Sequence, residues 1–171
     1  LFTGAVSKII KVSNLYYAVG LDTSCSIKYS QDGYNWSNVV SGGNLIDVAT
    51  NIAYNGSNLY VVTGYSYSWN GTSLLHSSDS LNWLASSNGQ FTGTGGYGTS
   101  VVYGNGVWVA TGIDIATSNS ILYSTDGSNW SPGSNSFLGV GNKVAFYNGL
   151  WVAVGSDSDT NTIKYSLDGS N

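Results

Sequence analysis

The chain has no Arg, no Glu and no Met, one Pro, one Cys and one His, and charged residues make up only 8% of its 171 positions. Each scarcity excludes something. With five Lys against nine Asp, a net charge of −4, no clustered cations exist to displace counterions from phosphates, so nucleic acid is not an expected partner. Without Arg, Glu and Met the strong helix formers are depleted. The solitary Cys25 forbids an internal disulfide and any CxxC metal site, leaving a free thiol or an intermolecular bridge. No basic segment precedes an apolar run, and no apolar run reaches the about 18 residues of a membrane span, so neither a signal peptide nor a span is expected.

What is present favours strands. Hydrophobic residues make up 42% of the chain, with 13 Tyr and six Trp, while 23 Gly and many Ser, Asn and Thr supply turns. At this length that composition reads as one all-β domain with a sizeable core.

The chain repeats itself. Ile27-Lys28-Tyr29-Ser30-Gln31-Asp32-Gly33-Tyr34-Asn35-Trp36 returns as Leu74 to Trp83, as Ile121 to Trp130, and as Ile163-Lys164-Tyr165-Ser166-Leu167-Asp168-Gly169-Ser170-Asn171. A second landmark precedes each copy: Leu15 to Gly20, Leu59 to Gly64, Val107 to Gly112 and Leu150 to Gly155. A period of forty-odd residues with strand-like segments predicts one four-stranded antiparallel sheet per repeat, with repeats at about 1–47, 48–95, 96–138 and 139–171. In the third copy the strands are expected at Ser100–Tyr103, Val107–Thr111, Ile121–Ser124 and from Asn129 and Trp130 onward. Radial stacking of such sheets buries both faces, so the expected fold is a β-propeller of about four blades, the last lacking its outer strand. That edge predicts completion by further repeats of a longer chain or by a second copy.

The turn between the third and fourth strands has its own chemistry. A Ser, an Asp two residues on, a Gly and Asn-Trp let hydroxyl and carboxylate accept backbone N–H groups, while Gly takes the left-handed position. The Trp is then free to wedge between sheets, where burying about 150–250 Å² of indole contributes at most roughly 4–6 kcal/mol. Ser30, Asp32 and Trp36, Ser77, Asp79 and Trp83, Ser124, Asp126 and Trp130, and Ser166 and Asp168 are therefore expected to be structural.

This pattern resembles the Asp-box, or BNR, repeat of sialidase-like β-propellers. The resemblance runs through nearly the whole chain and departs in detail. Gly33, Gly127 and Gly169 follow Asp directly where the family has one more residue between, Asn replaces Thr before the Trp, and Ser80 replaces the second Gly. The resemblance implies a structural turn away from the ligand face. It also invites a sialidase activity, which in that family needs an arginine cluster for the substrate carboxylate and a Tyr nucleophile with a Glu partner; this chain has no Arg and no Glu.

Other chemistry finds little support. His76 takes the place of Tyr29, Tyr123 and Tyr165 and reads as a strand residue. No GxSxG surrounds a Ser, and Gly93-Thr94-Gly95-Gly96 lacks the Lys of a phosphate loop. Asp22, Asp114 and Asp157 each follow a strand and read as Asx turns. Asp157 with Asp159 is a calcium candidate. No cofactor is expected. Tyr65, Tyr67 and Trp69 lie in the longest second-to-third-strand loop and have no counterparts in other repeats, and Phe91 and Tyr97 in the following linker can join them as a ligand surface.

The expected function is a non-catalytic structural or interaction propeller on a cell surface, secreted or in a virus particle, docking itself or partner proteins through strand edges and its loop face. The alternative is a lectin-like glycan binder, and after it a sialidase-like glycoside hydrolase relative without its catalytic residues.

Overall fold

Strand-forming segments separated by Gly and Asn turns become hairpins when each strand can pair with the next. The computed structural model describes residues 1–68, 71–157 and 162–171, and the regular elements among them are all strands. Blade 1 comprises β1 (Val6–Val12), β2 (Leu15–Gly20), β3 (Ile27–Ser30) and β4 (Ser37–Asn38). Blade 2 comprises β5 (Val48–Tyr54), β6 (Tyr60–Tyr65), β7 (Leu74–Ser77) and β8 (Leu84–Ala85), and blade 3 comprises β9 (Tyr97–Gly104), β10 (Val107–Ile113), β11 (Ile121–Ser124) and β12 (Ser131–Pro132). Blade 4 has three described strands, β13 (Gly141–Tyr147), β14 (Leu150–Gly155) and β15 (Ile163–Ser166). Within every blade the strands pair antiparallel in chain order.

The outer strand of blade 3 begins slightly later than expected. In blade 3 the fourth strand starts at Ser131, because the backbone of the preceding residues is already committed. The Asn129 N–H donates to Asp126 at 2.8 Å and the Trp130 N–H to the Asn88 carbonyl at 3.4 Å. Pro132 is accommodated on this edge strand, opposite Leu122, where its missing donor costs no inner ladder bond. The first strand runs past the expected Ser100–Tyr103 to Tyr97–Gly104.

Both faces of the middle strands are apolar, and three core clusters follow, one between each consecutive pair of blades. Tyr17, Val19 and Ile27 of blade 1 meet Ile52, Val62, Leu75 and Trp83 of blade 2. Val61 and Leu74 of blade 2 meet Val101, Trp108, Leu122 and Trp130 of blade 3, and Val109 of blade 3 meets Val144, Trp151 and Ala153 of blade 4. Alternation along each strand thus assigns one face to the preceding blade and one to the following. Cys25 is buried in the first cluster with its thiol directed to the Ile27 carbonyl at 2.9 Å, so burial stands against the intermolecular bridge.

Candidate interaction site

The four Ser-x-Asp turns form as their residue types dictate. In the first, the Ser30 Oγ accepts the Gly33 N–H at 2.9 Å, and the Asp32 carboxylate accepts the N–H groups of Tyr34 and Asn35 and the Asn35 side-chain amide, each at 2.8 Å. The Trp36 indole donates to the Gly33 carbonyl at 3.1 Å. The turns at Asp79, Asp126 and Asp168 repeat the carboxylate bonds. Donors converging on one carboxylate favour its charged form. The Asn129 and Ser128 bonds hold Asp126 down to about 2, and the other three are likewise lowered. Each of these four carboxylates accepts its hydrogen bonds from its own turn.

The expected ligand aromatics divide. Tyr65 packs edge-on against Tyr67 at 5.6 Å and against Tyr97 of blade 3 at 6.0 Å, so three of them meet at one end of the joint between blades 2 and 3. Burial, then a hydrogen bond with Tyr67, pushes the Tyr65 hydroxyl up, while Tyr67 stays exposed. Phe91 is a correction: at 0% exposure it belongs to the core between blades 2 and 3, and its N–H is tied to the Ser73 hydroxyl at 2.7 Å. An apolar residue in a linker looked like a surface candidate, but this linker tucks under the sheet ends. Trp69 lies outside the described residues.

The strand-end aspartates cap loops. Asp22 accepts the N–H groups of Ser24 and Cys25, and Asp114 those of Ala116 and Thr117. Blade 2 carries Ser66 there, and Asp47 from the preceding linker substitutes, accepting the Ser66 hydroxyl and the Tyr67 N–H at 2.8 and 2.7 Å. Asp157 pairs with Lys164 at 3.2 Å as Asp22 pairs with Lys28 at 3.3 Å. An ammonium therefore stands where the calcium reading wanted a cation. Asp159 lies outside the described residues, among which no group of three metal-ligating side chains occurs. His76 sits in β7 as expected, its Nδ1 buried without a partner among the described residues.

One site escaped the sequence reading. Ala145, Val152 and Tyr165 are laterally paired across β13, β14 and β15, as are Lys143, Val154 and Ile163, and together they form the face of blade 4 turned away from blade 3, apolar but for Lys143 at one end. In blades 1 to 3 the equivalent face is core. Here Ile163 is 66% and Tyr165 74% exposed, alongside Tyr147, Leu150, Val154 and Leu167. The signal lay in Ile163 and Tyr165 matching Ile121 and Tyr123, residues packed against blade 4. An exposed contiguous apolar face of this kind is unusual outside interaction surfaces.

No family model matches the chain, and no curated protein does. Solved structures match it in fold. The computationally designed Ika4 protein aligns at 13% identity with a TM-score of 0.62, covering 97% of this chain and 94% of that one. YCF48 from Cyanidioschyzon merolae aligns at 15% identity and TM-score 0.52, covering 94% of this chain and 58% of its own. A GH74 enzyme from Niastella koreensis aligns at 20% identity and TM-score 0.56, covering 92% of this chain and 23% of its own. The chain therefore spans little more than half of one natural neighbour and a quarter or less of the other, and the shared property is the β-propeller fold.

Proposed function

We propose that this protein is a non-catalytic interaction propeller that docks a second copy of itself or a protein partner through the outward face of blade 4. The observation carrying this reading is the sheet face of Ala145, Val154, Ile163 and Tyr165, exposed where its three counterparts are core. Its Ser-x-Asp turns suit a short-spaced relative of the Asp-box repeat, with the aspartates structural. Low charge favours recognition by shape and apolar contact over electrostatic steering, in keeping with a surface, secreted or virion-associated role. Light scattering on the 171-residue chain tests it: the reading expects association that Ile163→Asp abolishes, and a monomer that captures no partner in a cross-linking screen removes it.

A second reading, glycan binding, is favoured by the Tyr65, Tyr67 and Tyr97 cluster, since tyrosine faces suit stacking on sugar rings. A glycan panel compared with Tyr67→Ala tests it; binding indifferent to that change excludes the cluster.

A further inference from the structure

The tyrosine patch at the joint between blades 2 and 3 departs from the blade plan in its rings, its carboxylate and its charge. Each second strand carries a glycine near its end, Gly20, Gly64, Gly112 and Gly155, and the residues after these are Leu21, Tyr65, Ile113 and Ser156. Opposite Tyr65 stands Val48, and opposite Ile113 stands Tyr97. The repeat therefore requires neither tyrosine, yet the two lie on different blades where they meet. Tyr67 completes the patch, 54% exposed, with its ring at 83° to that of Tyr65.

The carboxylate beside it has an oxygen to spare. In blade 1, Asp22 Oδ1 accepts the N–H groups of Ser24 and Cys25, while Oδ2 accepts that of Thr3 and faces the Lys28 ammonium. In blade 3, Asp114 Oδ1 accepts from Ala116 and Thr117, and Oδ2 from the Thr117 hydroxyl. Asp47 accepts the Ser66 hydroxyl and the Tyr67 N–H through Oδ2 alone, and its Oδ1 holds no hydrogen bond among the described residues. The Asp47 N–H donates to the Tyr65 carbonyl at 2.9 Å, which fixes this carboxylate at the patch. Burial first, and after it neighbouring groups that include the Asp47 charge, push the Tyr65 hydroxyl up.

The cations that neutralise such aspartates elsewhere are missing here. Lys28 pairs with Asp22 in blade 1 and Lys164 with Asp157 in blade 4, but the residues in the same register of blades 2 and 3 are Leu75 and Leu122. Asp47 and Asp114 accordingly form no ion pair among the described residues. We propose, resting on the glycan-binding reading of this patch, that it takes the terminal sugar ring of a glycan, one bearing no acidic group, stacked on Tyr67 with its hydroxyls donating to Asp47 Oδ1. Rings at right angles make a corner for one pyranose, where coplanar rings would make a platform for a run of them. A carboxylate oxygen takes sugar hydroxyls in charge-assisted bonds. The same charge, with Asp114 one residue beyond Ile113, repels the carboxylate of a uronic or sialic acid.

The test titrates the folded chain at low salt, read by amide NMR shifts, with methyl glycosides in matched pairs: glucose and glucuronate, galactose and galacturonate, mannose and mannuronate. Within a pair only C6 differs. The expected result is saturable binding of at least one neutral sugar, with shifts centred on Asp47, Tyr67 and Tyr97 and an affinity at least about tenfold above that of its uronate. Tyr67→Ala is expected to weaken it about tenfold or more. Asp47→Asn is expected to lower the neutral sugar's affinity and bring the pair within about threefold, a change of charge preference that a merely structural Asp47 would not produce. Should that variant fail to fold, raised salt on the unaltered chain carries the same comparison, the gap narrowing as the charges are screened. A uronate bound as tightly as its neutral counterpart overturns the proposal and leaves the glycan reading standing. No saturable binding of any of these sugars, or binding indifferent to Tyr67→Ala, overturns both.

Discussion

Ser80 stands where the other three turns carry Gly33, Gly127 and Gly169, and it adopts their left-handed backbone at φ 67°. A non-glycine residue there costs of order 1 kcal/mol or more, so something must offset it. The partner is Tyr17 of the preceding blade, whose hydroxyl donates to the Ser80 Oγ at 2.8 Å; the β6, β10 and β14 positions matching Tyr17 are Val61, Val109 and Val152. The two departures from the repeat are thus one feature. Ser80→Gly relieves the backbone and takes one of two partners from the buried Tyr17 phenol, which keeps its hydrogen bond with Tyr60, so it is expected to change stability little, whereas Ser80→Gly combined with Tyr17→Phe is expected to depart from the sum of the two single variants by about 1 kcal/mol. A double-mutant cycle in urea measures this, and additive effects would dissolve the pairing. The tryptophans separate similarly. Trp83→Ala and Trp130→Ala are expected to cost about 3–5 kcal/mol each, and Trp36→Ala distinctly less because Trp36 is only half-buried, an ordering that the same unfolding curves report.

At the scale of the strand, each inner strand carries an irregularity in its pairing, and in two of them a threonine there clamps the next blade. The Thr50 hydroxyl donates to the Gly98 carbonyl at 2.7 Å and touches Thr63, and the Thr99 hydroxyl donates to the Gly141 carbonyl at 2.5 Å and touches Thr111. Thr99→Val keeps the shape and removes the clamp, with an expected loss of about 1 kcal/mol and faster amide exchange at the start of β13; unchanged exchange would show the bond to be incidental. These clamps also explain what could be read beforehand. The repeat, the middle strands and the turn chemistry are local in sequence, so Asp32, Asp79, Asp126 and Asp168 announce themselves. The threonine clamps, the burial of Phe91, the substitution of Asp47 for a missing loop aspartate and the meeting of Tyr65 with Tyr97 all depend on how one blade leans on the next. Periodicity along a single strand carries no such information, and it equally conceals that the Ile163 and Tyr165 face is exposed.

For the molecule as a whole, acidity is expected to act in two stages. His76 has its pKa lowered below 6.5 by burial, against a smaller opposing pull from Asp126. The unfolded chain then binds that proton first, and stability begins to fall as pH drops through 6.5. The second stage belongs to the turns. With Asp32, Asp79, Asp126 and Asp168 all held below 3.8, their contribution is complete above 3.8 and is lost as pH falls from there toward the folded values. Asp22 joins them, its burial opposing but outweighed by bonds from Ser24, Cys25 and Lys28. With only five Lys and one His to carry positive charge, general repulsion in acid is small and these site-specific losses dominate. Replacing His76 by the Tyr that Tyr29, Tyr123 and Tyr165 supply elsewhere removes the upper stage and leaves the lower one in place. Urea midpoints measured from pH 8 down to about 3 at constant ionic strength separate the stages, and a His76→Tyr profile that still sags above pH 5 would locate the upper stage outside β7.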